Sequence, residues 1–134
     1  AENDRLVLKS LRVTCGTDGP QEAVMTLSID GQDVSTTATG DGPVDATFNA
    51  VKALYPHTAR LQLYQVHAVT EGTDAQATVS VRMEEDGNIS TGESADTDTV
   101  VASARAYLNA LNRLLVRRDR IGEDHKEINY KDYS

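Results

Sequence analysis

From Ala23 to Ile29 the chain alternates: Ala23, Met25, Leu27 and Ile29 fall on one face, Val24, Thr26 and Ser28 on the other. A period of two predicts a half-buried strand, Glu22 to Ile29. Leu6 to Cys15 reads as a strand before it. Asp30-Gly31 has the composition of a two-residue hairpin turn whose central residues take positive φ. Gln32 to Thr39 then returns as a third strand. Gly40-Asp41-Gly42-Pro43 opens a helix, with Pro43 at the first helical position, where a missing N–H costs nothing. The helix runs to about Leu54 and ends before Pro56.

The pattern then starts again. Arg60 to Val69 is a fourth strand. Ala75 to Glu84 is a fifth, with Ala75, Ala77, Val79, Val81 and Met83 on one face. Asp86-Gly87 turns the chain and Asn88 to Ser94 returns. Asp98 is an N-cap by its side-chain oxygen. The helix after it carries Val100, Ala104, Tyr107, Leu108, Leu111, Leu114 and Leu115 on a wide apolar stripe. Arg113, Arg117 and Arg118 are placed in its last turns, where they complement the dipole. Residues 121–134 are polar and unpatterned and read as a mobile tail beside a domain of residues 1–120.

The two halves match in sequence as well as in order. Val13-Thr14-Cys15-Gly16-Thr17-Asp18 returns as Val69-Thr70-Glu71-Gly72-Thr73-Asp74, 56 positions on (69 − 13). Asp30-Gly31 returns as Asp86-Gly87 at the same spacing. Val44, Phe48, Val51 and Tyr55 fall on Val100, Ala104, Tyr107 and Leu111. One offset through a strand end, a turn and a helix face predicts an internal duplication. The fold class is therefore α+β, two tandem βββα repeats. Strand four carries Leu61 and Leu63 on one face and Tyr64, Val66 and Ala68 on the other. Apolar residues on both faces call for two covers, and a chain this small supplies one, so a two-fold dimer is expected.

Composition narrows the function. With 134 residues the chain is one domain able to bury a core. Five Tyr and one Phe leave that core mostly aliphatic. No apolar run approaches the roughly 20 residues of a membrane helix. Ala1-Glu2-Asn3-Asp4 lacks a signal-peptide apolar region, and a single cysteine fits a reducing cytoplasm. A net charge of −8 disfavours generic nucleic-acid or anionic-membrane partners. The chain opens without Met and reads as a piece of a longer protein.

Catalytic constellations are weak. His57 follows Pro56 in a loop, His67 sits on a strand without a nucleophile beside it, and His125 lies in the tail. They read as solvated or core-satisfied. No His-x-x-x-His or Cys-x-x-Cys spacing suggests a metal. Cys15, at a strand end, reads as a buried structural thiol. Glu84-Glu85-Asp86 reads as turn surface and Asp96-Thr97-Asp98 as a helix cap.

Gly40-Asp41-Gly42-Pro43-Val44-Asp45-Ala46 stands apart. Two glycines before a helix let a ligand approach the backbone, and free N–H groups at the helix start favour a carboxylate. Asp41 and Asp45 could face an ammonium. Ala68, Ala75 and Ala77 leave room for a small apolar side chain, walled by Leu61 and Tyr64. These parts would hold a zwitterion with an aliphatic tail; they also suit a plain strand-to-helix turn and an alanine-rich core.

That segment, with Leu63-Tyr64-Gln65-Val66-His67-Ala68-Val69-Thr70-Glu71-Gly72-Thr73-Asp74-Ala75-Gln76-Ala77 and the run from Asp96 to Asn112, strongly resembles the C-terminal regulatory domain of 2-isopropylmalate synthase. The resemblance covers about Leu6 to Arg118. It implies a dimeric allosteric domain that binds leucine near its interface and mediates feedback inhibition of a metal-dependent TIM barrel in the same polypeptide. That barrel condenses acetyl-CoA with 2-oxoisovalerate in leucine biosynthesis. The fragment itself is expected to catalyse nothing and to hold no cofactor. The implied effector pocket falls on Gly40, Gly42, Pro43, Val44, Leu61, Tyr64, Ala68, Ala75 and Ala77, with Asp41 and Asp45 beside it. Asp41 stands where the family often has Asn. Citramalate synthase shares the domain, so isoleucine is the alternative effector, and a dimerisation module without effector binding is the other reading.

Overall fold

Both predicted hairpins form. The computed structural model describes residues 4–68 and 76–133, by backbone alone for Ala68 and residues 119–133. β1 (Leu6–Thr14), β2 (Gln21–Ile29) and β3 (Gln32–Gly40) make one antiparallel sheet in that order, followed by α1 (Pro43–Leu54). β4 (Arg60–Ala68), β5 (Ala77–Glu85) and β6 (Asn88–Asp96) make a second, followed by α2 (Thr99–Tyr133). The fold is α+β, βββα twice. Asp30 and Gly31 take φ of 52° and 87°, Asp86 and Gly87 52° and 82°. Positive φ at both centres matches the twist of the strands, and Asp and Gly are residues that tolerate it.

The core lies between sheets and helices. Ala23, Met25 and Leu27 of β2 are fully buried, as are Val79, Val81 and Met83 of β5. α1 packs on β2 and β3, α2 on β5 and β6, and the helices touch each other. α2 sits close to β6: a Cβ on Gly92 would lie 2.1 Å from the Ala106 carbonyl oxygen and 2.4 Å from the Ala110 nitrogen. Ser90 Oγ, on the same face, donates to the Ala110 carbonyl at 2.7 Å. The repeats are tied together by Asn112 of α2. Its Oδ1 accepts from the Leu6 N–H at 3.0 Å and its Nδ2 donates to the Leu6 carbonyl at 2.8 Å, both buried.

Five sequence expectations change. β1 and β4 each carry a bulge, between Leu8 and Ser10 and between Leu61 and Leu63. The bulge breaks the alternation on which the two faces of strand four were assigned. Leu61 pairs with Met83, Tyr64 with Val81 and Val66 with Val79, so these three share the core-side face, and Leu63, opposite Arg82, takes the other. The 56-residue offset holds for β2 and β5, β3 and β6 and the helix starts, but not for the first strands. Val13 pairs with Ala23 and Val66 with Val79, a spacing of 53 (66 − 13). The sequence match of Val13–Asp18 to Val69–Asp74 is thus displaced from the structural one, and residues 69–75 lie outside the described residues.

α2 does not end near Arg118 but runs to Tyr133. Arg113 and Arg117 are therefore not at a helix end. Their guanidiniums donate to the carbonyls of Thr91 and Ile89, and Asn109 Nδ2 donates to that of Glu93 at 2.9 Å. Residues four apart on the helix meet carbonyls two apart on the strand, and the edge of β6 is covered. Glu85 is no surface residue. It is buried, receiving Arg118 and, at 3.1 Å, the Thr58 hydroxyl. Burial pushes its carboxyl up, but these donors outweigh burial and hold it below the usual range. Cys15 is exposed because β1 stops at Thr14 and leaves it in the following turn.

Candidate effector site

The turn into α1 is built for close approach. A Cβ on Gly40 would lie 2.4 Å from the Ala46 nitrogen and 2.6 Å from Asp45 Oδ2, so only glycine fits. Asp45, the third helical residue, turns Oδ2 back to accept from the Asp41 N–H at 2.9 Å. The bond goes to the residue before the N-cap, so it braces the turn without forming a capping box. Gly42 is the N-cap, with extended backbone and no side-chain oxygen, and Pro43 brings no N–H. The first helical bond is Ala46 N–H to the Gly42 carbonyl at 2.9 Å. The N–H groups of Val44 and Asp45 are left without a side-chain cap.

The second repeat closes the same position. Asp98 stands where the first repeat has Gly42, 56 positions earlier. Its Oδ1 accepts from Val100 N–H at 2.8 Å and Val101 N–H at 3.3 Å. Two helices with one ancestry therefore differ at their starts: α2 is capped by a carboxylate and α1 is open.

β4 carries the residues expected to wall the site. Through the bulge, Leu61 and Tyr64 reach the same sheet face, with Ala68 in register with Ala77 further along. Tyr64 is half-buried and meets Phe48 of α1 edge to face, at 5.9 Å between centroids. Its hydroxyl lies 2.7 Å from Ser103 Oγ, which itself donates to the Thr99 carbonyl at 2.7 Å. Ser103 has a single proton, so Tyr64 is the donor in the first bond. Thr47, at the equivalent place in α1, makes the same backbone contact to Pro43 at 2.6 Å.

Phe48 also stacks on Tyr107, 4.4 Å between centroids, and the Tyr107 hydroxyl lies 3.0 Å from His57 Nε2. A chain of rings thus runs from Tyr64 through both helices to the α1–β4 connection. Burial pushes the Tyr107 phenol well up. Burial also holds the His57 imidazole below its ordinary value, helped by Lys52 and Arg118 and opposed by Glu85.

The structure brings Gly40, Asp41, Gly42, Pro43, Val44 and Asp45 together at the α1 start. Leu61, Tyr64 and Ala77 share one face of the second sheet, with the Ala68 backbone paired to Ala77, and Tyr64 joins them to α1 through Phe48. Ala75 lies outside the described residues. Asp45 is occupied with Asp41, which makes it a brace for the turn as well as a charge. Sequence reasoning missed Phe48 and Ser103. The recurrence of Thr47 as Ser103 at the repeat spacing was the available signal. Among the described residues no group of three His, Cys, Asp or Glu could hold a metal ion. No helix among them is long and apolar enough to cross a membrane.

Residues 1–115 match the LeuA allosteric (dimerisation) domain. The chain belongs to this family. It is 59% identical over 118 residues to the 2-isopropylmalate synthase of Caulobacter sp. (strain K31), which covers 88% of this chain and 22% of that protein. The 2-isopropylmalate synthase of Bradyrhizobium diazoefficiens is 59% identical over 120 residues, 90% of this chain and 23% of that protein. That of Rhodopseudomonas palustris (strain BisA53) is 58% identical over 118 residues, again 88% and 23%. The LeuA domain chain thus spans less than a quarter of these relatives' length.

Proposed function

We propose that this LeuA domain is the leucine-sensing half of a feedback loop in a 2-isopropylmalate synthase. It pairs as a homodimer, and leucine bound at the α1 start lowers the activity of a catalytic barrel in the same polypeptide. The condensation of acetyl-CoA with 2-oxoisovalerate on a divalent metal belongs to that barrel, in the cytoplasm. The observation that carries the reading is the open helix start. Two uncapped N–H groups and the positive end of the α1 dipole suit a carboxylate. Gly40 and Gly42 keep side chains out of its way. The Leu61, Tyr64, Ala68 and Ala77 face offers an apolar seat for a branched side chain.

The test is a melting-temperature titration of the chain with leucine, isoleucine and valine. A ligand that binds only the native state contributes RT ln(1 + [L]/Kd), about 2.7 kcal/mol at a hundredfold excess over Kd. Leucine is expected to raise the melting temperature by several degrees with saturation. A larger response to isoleucine would assign the domain to a citramalate-synthase type of control. No response to any of the three would leave a dimerisation module without an effector.

A further inference from the structure

A second cleft lies where internal symmetry would repeat the effector site. It is a cavity of about 250 Å³ between the end of β1 and the starts of both helices. Leu11 and Val13 line it from β1, Cys15 from just beyond that strand, Pro43 from α1, and Asp98, Val100 and Val101 from the start of α2. Leu11 and Val13 pair with Met25 and Ala23 as Tyr64 and Val66 pair with Val81 and Val79. Val100 corresponds to Val44. Only Pro43 is shared with the residues assigned to leucine.

The chemistry is inverted between the two places. At α1 the helix start is bare and attracts an anion. At the cavity the α2 start is already filled by Asp98, whose full negative charge exceeds the roughly half positive charge of a helix end. Both amide bonds to Asp98 go to Oδ1, and among the described residues none goes to Oδ2. The remaining walls are aliphatic apart from the Cys15 thiol. A carboxylate meets the charge of Asp98 there; an ammonium finds a carboxylate oxygen, and a short apolar body finds five branched or ring side chains.

We propose that this cavity is a second ligand site, taking a short branched aliphatic ammonium compound with its nitrogen on Asp98. It is independent of the leucine reading, because its ligand needs no carboxylate.

The test titrates the chain with 3-methylbutylamine and follows backbone amide shifts. Saturable shifts are expected at Leu11, Val13, Val100 and Val101, with Val44 and Asp45 unmoved. Asp98→Asn keeps the cap, since Asn caps as well as Asp, and removes the charge. It should weaken amine binding about tenfold, the loss of one charge-assisted hydrogen bond, and leave any leucine response intact. Leu11→Trp should fill the cavity and abolish amine binding. Absent saturation, shifts centred on Val44 and Asp45, or unchanged affinity in Asp98→Asn would each overturn the proposal. Should Leu11→Trp fail to fold, Asp98→Asn decides alone.

Discussion

At the scale of the residue, the site rests on volumes withheld and oxygens omitted. Ala77 shares its sheet face with the buried Val79 and Val81 but is itself half-buried. Adding volume to a packed core costs roughly 1–3 kcal/mol. If Ala77 borders the effector seat, Ala77→Val should lower stability by less than that and abolish the leucine-induced rise in melting temperature. An unchanged leucine response would remove Ala77 from the site. Gly42→Asp gives the first repeat the cap of the second. It should leave α1 as stable or more stable by a few tenths of a kcal/mol in denaturant unfolding while blocking leucine, which separates binding from folding in one variant. Much of this was legible in the sequence: two glycines, a proline and a carboxylate ahead of an apolar stripe specify an N-terminus by local rules. The faces of β4 were not. A bulge adds one residue without any mark in the hydrophobic pattern, and Leu61 changed sides because of it. Cys15 and Glu85 were misplaced for a related reason: burial depends on where a neighbouring element stops or packs, as with Arg118 over Glu85.

At the scale of the element, α2 holds the second sheet by contacts that sequence patterns hide. Gly92 lies among polar residues of β6 and reads as an ordinary weak strand position. Its role is visible only with the helix backbone against it. Gly92→Ala should destabilise the fold by several kcal/mol, since backbone rather than a flexible side chain must move; a loss under 1 kcal/mol in urea unfolding would show that α2 can shift freely. Asn109, Arg113 and Arg117 form the other contact, over the edge of β6. The sequence suggested a dipole role for the arginines because the apolar stripe ends near Leu115. The helix continues past the stripe, so their partners are strand carbonyls instead. The repeat offset failed at β1 and β4 for the same kind of reason: three residues were added in a connection, where length is tolerated, while the packed elements kept their spacing.

At the scale of the whole molecule, the two repeats meet at a ring stack and a half-buried histidine. His57 is held below its usual 6.5 first by burial. Its folded-state value is depressed, so its contribution is present above the unfolded value and is lost as pH falls below about 6.5. The domain should become less stable on acidification from pH 7 to 5, and His57→Gln should flatten that slope in melting curves. Leu61 and Val66 are each 45% exposed on the core-side face of β4, apolar surface available to a partner copy. Sedimentation at tens of micromolar should give twice the mass of 14.5 kDa. A monomer at that concentration would contradict the pairing proposed for this dimerisation domain.

The most direct measurement is amide exchange and chemical shift at Val44 and Asp45 as leucine is added. The account predicts that both N–H groups shift and exchange more slowly, saturating over the same concentrations that raise the melting temperature. Leucine binding with both amides unaffected would contradict it.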